Sequence, residues 1–310
     1  MRVLVTGSNG LLGSKVLAAL VQRTDMTPIA TSRAPCANHA LGAFSFHRLD
    51  VTDAEQTRRL LDETRPDVVI HTAAMTDVDG CERDPEAAWR LNVQGTVAVA
   101  EAAARIGAGV VHLSTEYVFD GTAGPYAEDD PPHPISVYGR TKLESERALA
   151  ARCPRWTVAR TTVLFGYAPS ARPNFVLWLL DRLARGEHVR VVADQIGSPT
   201  LADNLAEMVL ALGANDVHGI YHTVGASRLS RHAFAQLAAR TFGLEEDLIE
   251  PITTAELRQP ALRPLAAGLL THRLERDFPT LPVLTAEAAL ERLRSQLAAA
   301  EALPIPPAGR

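Results

Sequence analysis

Through its first half the chain alternates short apolar, β-branched runs with longer stretches whose apolar positions recur at helical spacing. "RVLVT" (2–6) leads into "GLLGSKVLAALVQ" (10–22), and "TPIATS" (27–32) and "FSFHRLD" (44–50) read as a second and third strand. "TDAEQTRRLLDET" (52–64) reads as a helix with Thr52 and Asp53 as candidate caps, and "DVVIHTAA" (67–74) as a buried strand. "DPEAAWRLNVQGTVAVAEAAARIG" (84–107) is expected to be one long helix, opened by Pro85 and stopped near Gly107, with a fifth strand at "AGVVHLST" (108–115). Such alternation predicts an α/β fold, a doubly wound parallel sheet covered by helices on both faces. Its ligand crevice then lies at the carboxyl ends of the strands.

"DGTAGPYAEDDPPHPISVY" (120–138), rich in Pro, Gly and Asp, reads as a loop over the sheet edge, followed by a helix from Tyr138 and a sixth strand at "WTVART" (156–161). Beyond residue 166 the alternation fades. "NFVLWLLDRLARG" is helical, "HVRVVAD" strand-like, and "HGIYHTVG" (218–225) is a candidate to return to the sheet. Residues 1–165 with about 215–235 are expected to form a Rossmann domain, and 166–214 with 236–310 a smaller substrate lobe ending in a loose Pro-rich tail from Leu303.

At 310 residues the chain can bury a large core, and a net charge of −5 with both signs scattered excludes a basic stripe for nucleic acid or a polybasic membrane patch. No apolar run approaches the roughly 20 residues of a spanning helix, so a cytoplasmic protein is expected. Cys36, Cys81 and Cys153 are odd in number and outside any CxxC pair, which indicates neither a disulfide framework nor a zinc site.

The first strand runs into "GSNGLLG", which places Gly7, Gly10 and Gly13 where a strand turns into a helix. There the backbone can approach a pyrophosphate and the helix N-terminus offers free N–H groups. An NAD site usually carries an acid about 20 residues further on, at the end of the second strand. Here that position is Arg33, next to Ser32, which suits a 2′-phosphate, so NADP(H) is expected with NADH as second choice; the alternative is that Arg33 is a solvated surface residue. Asp50 and Val51 are placed to flank the adenine, and Ala73 and Ala74 to leave room beside the fourth strand.

Two of the 31 basic residues are lysines, Lys15 and Lys142, and Lys142 stands four after Tyr138, on one face of a helix. An ammonium about 4 Å from a phenol is worth roughly 4 kcal/mol at an effective dielectric of about 20, enough in principle to lower the phenol's pKa by two to three units. Lysine's compact charge fits beneath a cofactor more readily than arginine's broad plane. Ser114 and Thr115, ending the fifth strand, offer hydroxyls to hold a carbonyl beside Tyr138. Together these groups describe carbonyl reduction.

"GSNGLLG", "STEYVFDG", "PYAEDDPPHPISVYGRTKLESE" and "DQIGSPT" resemble the extended short-chain dehydrogenase/reductases, and among them the dTDP-4-dehydrorhamnose reductase family, from Arg2 to about Leu290. The resemblance implies Thr115, Tyr138 and Lys142 as the catalytic trio in NADPH-dependent reduction of a nucleotide-linked, dTDP-type 4-keto-6-deoxyhexose. It implies Asn9, Leu11, Leu12, Thr76 and Asn92 around the cofactor. Val78, Glu116 and Tyr117 would lie at the sugar, with Asn174, Gln195 and Thr200 toward the nucleotide. A homodimer is compatible with it.

Departures from the family pattern bear on the substrate. The family's "RTSW" reads "RTTV", so Val163 stands for a tryptophan at the sugar, and Lys15 stands where some members carry a glutamate linked to magnesium-bridged dimers, so no metal is expected. His218 and His222 would lie roughly 13 Å apart on a strand, too far to share an ion. Trp89 and Trp178 read as core. A second reading is a cofactor-binding regulatory subunit resembling the β subunit of methionine adenosyltransferase, which shares a segment like "VFDGT" (118–122); related nucleotide-sugar epimerases are a third.

Overall fold

In the computed structural model, which describes residues 1–302, the strands β1 Arg2–Thr6, β2 Thr27–Ser32, β3 Ser45–Arg48, β4 Val68–His71, β5 Gly109–Thr115 and β6 Trp156–Thr161 join an edge strand, Gly219–His222, in one parallel sheet. The order is edge strand, β6, β5, β4, β1, β2, β3. Chain direction along the sheet reverses at β1, which pairs with β2 through Val5↔Ala30 and with β4 through Val5↔Ile70. That reversal opens a crevice between the carboxyl ends of β1 and β4. β5 is buried along its whole length, which is why it reads as an apolar run without alternation.

Helix α1 (Leu11–Val21) follows β1, and α2 (Ala54–Thr64) is capped by Asp53, whose carboxylate accepts from Gln56 N at 2.9 Å. A short α3 (Val78–Arg83), absent from the pattern reading, precedes α4 (Pro85–Trp89) and α5 (Gly95–Ile106). The long helix expected over 84–107 is interrupted by a wider π-turn at Arg90–Gln94, through which the backbone stays right-handed. α6 (Val137–Arg152) is capped by Ser136, which accepts from Gly139 N.

In the second half, α7 (Phe175–Ala184) and α9 (Arg231–Phe242) pack with the C-terminal helix Ala286–Ala299 around Phe165, Phe234 and Leu290, a core separate from the sheet. α8 (Ala202–Ala214) does not join it. Leu205, Met208 and Val209 of α8 pack on Val16 and Leu20 of α1 and on Val68, Ile70 and Val111 of the sheet. Residues 202–214, expected in the smaller lobe, therefore complete the sheet domain, whereas α9, expected to begin within that domain, belongs to the second core. Trp89 and Trp178, expected in the core, are 44% and 38% exposed, because each lies on the outward face of its helix. The tail from Leu303 lies outside the described residues.

One buried ion pair ties β6 to α6. Arg160, 1% exposed, meets Glu146 through Nε (3.0 Å) and Nη2 (2.7 Å), and the Ser114 hydroxyl donates to the same carboxylate. The guanidinium also lies 5.2 Å from the Phe119 ring centre. Removing one partner of such a pair leaves the other charge buried, at a cost of about 3–5 kcal/mol. Arg160→Leu is therefore expected to lose about that much in equilibrium urea unfolding; a loss below about 1 kcal/mol would mean that water screens the pair.

Candidate active site

The turn from β1 to α1 is closed by backbone contact. Gly7 has φ of +67°, and a Cβ there would stand 3.0 Å from Ala73 Cα; a Cβ on Gly13 would stand 2.3 Å from the Gly7 carbonyl oxygen. Only glycine fits either place. Gly10 is the N-cap of α1 without a side-chain bond, and no acid stands in the first turn, so the helix terminus faces the crevice with its N–H groups and partial positive charge. A glycine-lined cradle with an uncapped terminus fits a dinucleotide pyrophosphate.

The side chains expected around the cofactor divide. Ser32 is buried and Arg33 exposed at the end of β2, where the Arg48 guanidinium reaches the Arg33 carbonyl at 3.4 Å. Burial pushes the Asp50 carboxyl up, but hydrogen bonds from Thr52 N (3.0 Å) and Thr52 Oγ1 (2.7 Å), with the charges of Arg33 and Arg90, hold it below the usual carboxylate range. Ala73 and Ala74 are half-buried and Thr76 exposed along the segment after β4, and Leu11 is half-buried at the start of α1. Other residues serve the scaffold. The Leu12 side chain is in the core, which leaves only its N–H, in the first turn of α1, for a cofactor, and Val51 is turned inward onto α5, its Cγ2 2.9 Å from where a Cβ on Gly95 would lie, rather than outward to an adenine. The Asn9 amide donates to Pro35 O (2.7 Å) and accepts from Ala37 N (3.1 Å), fastening the loop after β2 to the glycine turn. Asn92, in the π-turn, accepts from Met75 N (2.7 Å) and donates to Met75 O (3.2 Å) and Thr141 Oγ1 (3.0 Å), so it clamps the β4 segment to α6 with an amide already engaged.

Thr115 ends β5, and its hydroxyl oxygen accepts from Tyr117 N at 3.2 Å. Ser114 cannot share the expected carbonyl-holding role, since alternation along the strand turns it to Glu146. Tyr138, in the first turn of α6, meets the Tyr117 ring edge to face with centroids 5.5 Å apart. Burial raises its phenol above the ordinary value, and the neighbouring Thr115 hydroxyl opposes this. The expected lowering by Lys142 is overturned: Lys142 is 2% exposed, its Nζ lies 3.2 Å from His112 Nε2, and burial brings the ammonium itself down to about 8 against the charge of Glu146.

Beside these groups a narrow pocket is lined by Glu116, Tyr117, Val163, Gln195, Gly197 and Arg231, among others. Val163 holds φ of +43°, a strained conformation for a β-branched residue, and the same turn directs the Thr162 hydroxyl onto Glu116. Val78 is half-buried at the start of α3. Asn174 and Thr200 are turned elsewhere. Asn174 caps α7, accepting from Val176 N (3.2 Å) and donating to Gly166 O (2.6 Å); Thr200 is fully buried between Ser198 O (2.9 Å) and Gly225 N (3.2 Å).

Three features escaped the sequence reading. Arg231 opens α9 and reaches the cavity, its guanidinium 4.9 Å from the Phe175 ring centre. A cation in a helix's first turn opposes the dipole, and that was the available signal. Arg263 grips Asp79 of α3 with two bonds of 2.7 and 2.9 Å, joining the far segment to the crevice wall. His112 under Lys142 had no spacing that would reveal it.

Parallel sheet, glycine-lined first turn and a tyrosine–lysine helix after β5 together define an extended short-chain dehydrogenase/reductase. The chain belongs to the RmlD substrate binding domain family, whose profile matches residues 1–297. It is 36% identical over 304 residues, 97% of either chain, to a probable dTDP-4,6-dihydroxy-2-methyloxan-3-one 4-ketoreductase of Streptomyces antibioticus. To a dTDP-4-dehydrorhamnose reductase of Sinorhizobium fredii it is 36% identical over 292 residues, 90% of this chain and 92% of that protein. The crystal structure of a dTDP-4-dehydrorhamnose reductase from Bacillus anthracis in complex with NADP superposes with a TM-score of 0.84 at 30% identity, covering 95% of this chain and 99% of that one.

Glu116 gives the site a pH signature. It is 5% exposed, and burial pushes its carboxyl from 4.5 up to about 7 against bonds from the Thr162 hydroxyl and Gly268 N (3.1 Å) and the charges of Arg231 and Arg228. An acid with a raised pKa favours the fold while protonated, so its contribution is fully present below about pH 4.5 and is lost as pH rises through 7. Relative to Glu116→Gln, the native chain should lose stability between pH 5 and 7.5 in urea unfolding, by roughly 3 kcal/mol at most. Parallel curves for the two proteins would contradict the buried placement.

Proposed function

We propose that the chain is an NADP(H)-dependent reductase of the 4-keto group of a nucleotide-linked, dTDP-type 4-keto-6-deoxyhexose. The observation that carries this reading is the packing of Tyr138 against Tyr117 beside the Thr115 hydroxyl, next to the pocket that Tyr117, Glu116 and Arg231 wall. When bound, the reduced nicotinamide supplies a hydride. The remaining work falls to the chain's own residues. The N-terminus of α1 and the glycine turn hold a pyrophosphate, Arg33 takes the 2′-phosphate, and Lys142 holds its ammonium under the crevice. Thr115 orients the carbonyl, and Tyr138, whose phenol keeps its proton at neutral pH because burial raises it, passes that proton to the carbonyl oxygen as the carbon is reduced. Arg231 and Gln195, on the lobe side of the pocket, suit the charged, polar nucleotide part, Glu116 suits sugar hydroxyls, and Val78, half-buried at the start of α3, suits the sugar ring.

Among the described residues no helix is long and apolar enough to cross a membrane. With this reading go a cytoplasmic location, a homodimer, and a division of labour in which the sheet domain, α8 included, holds the cofactor and the lobe built by α7, α9 and the C-terminal helix holds the sugar nucleotide.

A panel of dTDP-, UDP- and GDP-linked 4-keto-6-deoxyhexoses offered with NADPH tests the proposal. Nicotinamide absorbance should fall with a dTDP-linked member, and Tyr138→Phe should cut turnover about 10²–10⁴-fold with little change in NADPH affinity. Tight NADPH binding without turnover of any member would favour the regulatory-subunit reading instead.

A further inference from the structure

We propose that His112 is a positioning residue that holds the Lys142 amino group in its charged form beneath the cofactor crevice. The inference rests on the reading of Lys142 as part of the active site. Lys142, Ser145 and Glu146 fall on one face of α6, and that face lies on β5 and β6. His112, fully buried on β5, presents Nε2 at 3.2 Å to Lys142 Nζ and at 2.8 Å to Ser145 Oγ. From β4, His71 stacks on the His112 ring at 5.2 Å, its own nitrogens engaged by Thr6 (2.8 Å) and Thr96 (3.2 Å).

The charged neighbours leave this job to the imidazole. Glu146 is the anion whose field favours the ammonium, but its carboxylate is already bound by Arg160 of β6 and Ser114 of β5. Tyr138, a turn earlier, keeps its proton. Burial, with the charge of Lys142 added, holds both histidines well below their ordinary range, so both are neutral near pH 7. A neutral Nε2 that accepts from an ammonium puts the ring proton on Nδ1, and Nδ1 is buried without a partner among the described residues. Ser145 accommodates this tautomer by giving its one hydroxyl proton to the Lys142 carbonyl (2.6 Å), which leaves the Nε2 lone pair to the ammonium. One ring nitrogen on one point charge also explains why the position takes lysine, since a guanidinium spreads its donors over a plane.

The test is the alkaline limb of kcat/KM with NADPH and a ketosugar. His112→Leu removes the acceptor, so Lys142 should lose its proton about one pH unit lower, roughly a tenfold loss of activity at fixed pH above the limb. His112→Gln, whose amide oxygen reaches the place of Nε2, should keep the native limb, whereas His112→Asn, whose amide reaches only the place of Nδ1, should behave like His112→Leu. The chain has two lysines, so lysine 13Cε labelling gives the Lys142 titration directly, even where a variant is inactive. Coincident limbs and titrations in native, Leu and Asn proteins would overturn the inference, as would a Gln variant displaced like Leu. Lys142→Met separates the two layers: full activity in that variant overturns the reading of Lys142 itself, whatever the histidine variants do.

Discussion

The amino group of Lys142 has been taken out of water and set on a layer of side chains that three neighbouring strands supply, and the site is organised around that burial. Desolvation works against the ammonium, and its field is balanced by Glu146, which in turn is held by Arg160 and Ser114. None of these groups can move alone, because each is the hydrogen-bond partner of another and an unpaired member would remain in a low-dielectric interior. The register of α6 on β5 and β6 is thereby pinned, and with it the direction of Tyr138 one turn nearer the crevice. The phenol is a weaker acid for this arrangement: surrounded by Tyr117 and protein rather than water, it keeps its proton at neutral pH, the state a reductase needs before hydride arrives.

At the other end of the crevice the constraint is steric. Gly13 lies on the Gly7 carbonyl and Gly7 on Ala73, so β1, α1 and the segment after β4 meet at a point where no side chain fits. Asn9 extends the junction to the loop after β2, and Asn92 fastens the β4 segment to α6. The two amides join the cradle to the tyrosine helix, so the cofactor end and the reacting end form one rigid frame. The far wall is fastened as well, by the Arg263–Asp79 bridge.

Most of the frame was legible in the residues. Strands at 27–32 and 156–161 follow from β-branched runs bounded by turn residues, and the return of 219–222 to the sheet follows from its apolar pattern. The glycine turn and the tyrosine–lysine spacing are local, so they survive being read without coordinates. What escaped depends on long-range contact. Asn174 caps its own helix, a local signal that was there to read, but whether Asn92 or Thr200 faces a ligand or the scaffold is decided by Met75 and Gly225, 17 and 25 residues away. The same holds for Ser114, where only the neighbouring strand and helix reveal which face is occupied, and for α8, whose apolar stripe says that it packs but not against which core.

Hydride delivery to the sugar is the central claim, and isotope transfer examines it without relying on rates. Incubation with NADPH deuterated at the transferring position of C4 and a dTDP-linked 4-keto-6-deoxyhexose should yield a product heavier by one mass unit, with the label at sugar C4. Product carrying no deuterium, or deuterium at another carbon, would contradict the account.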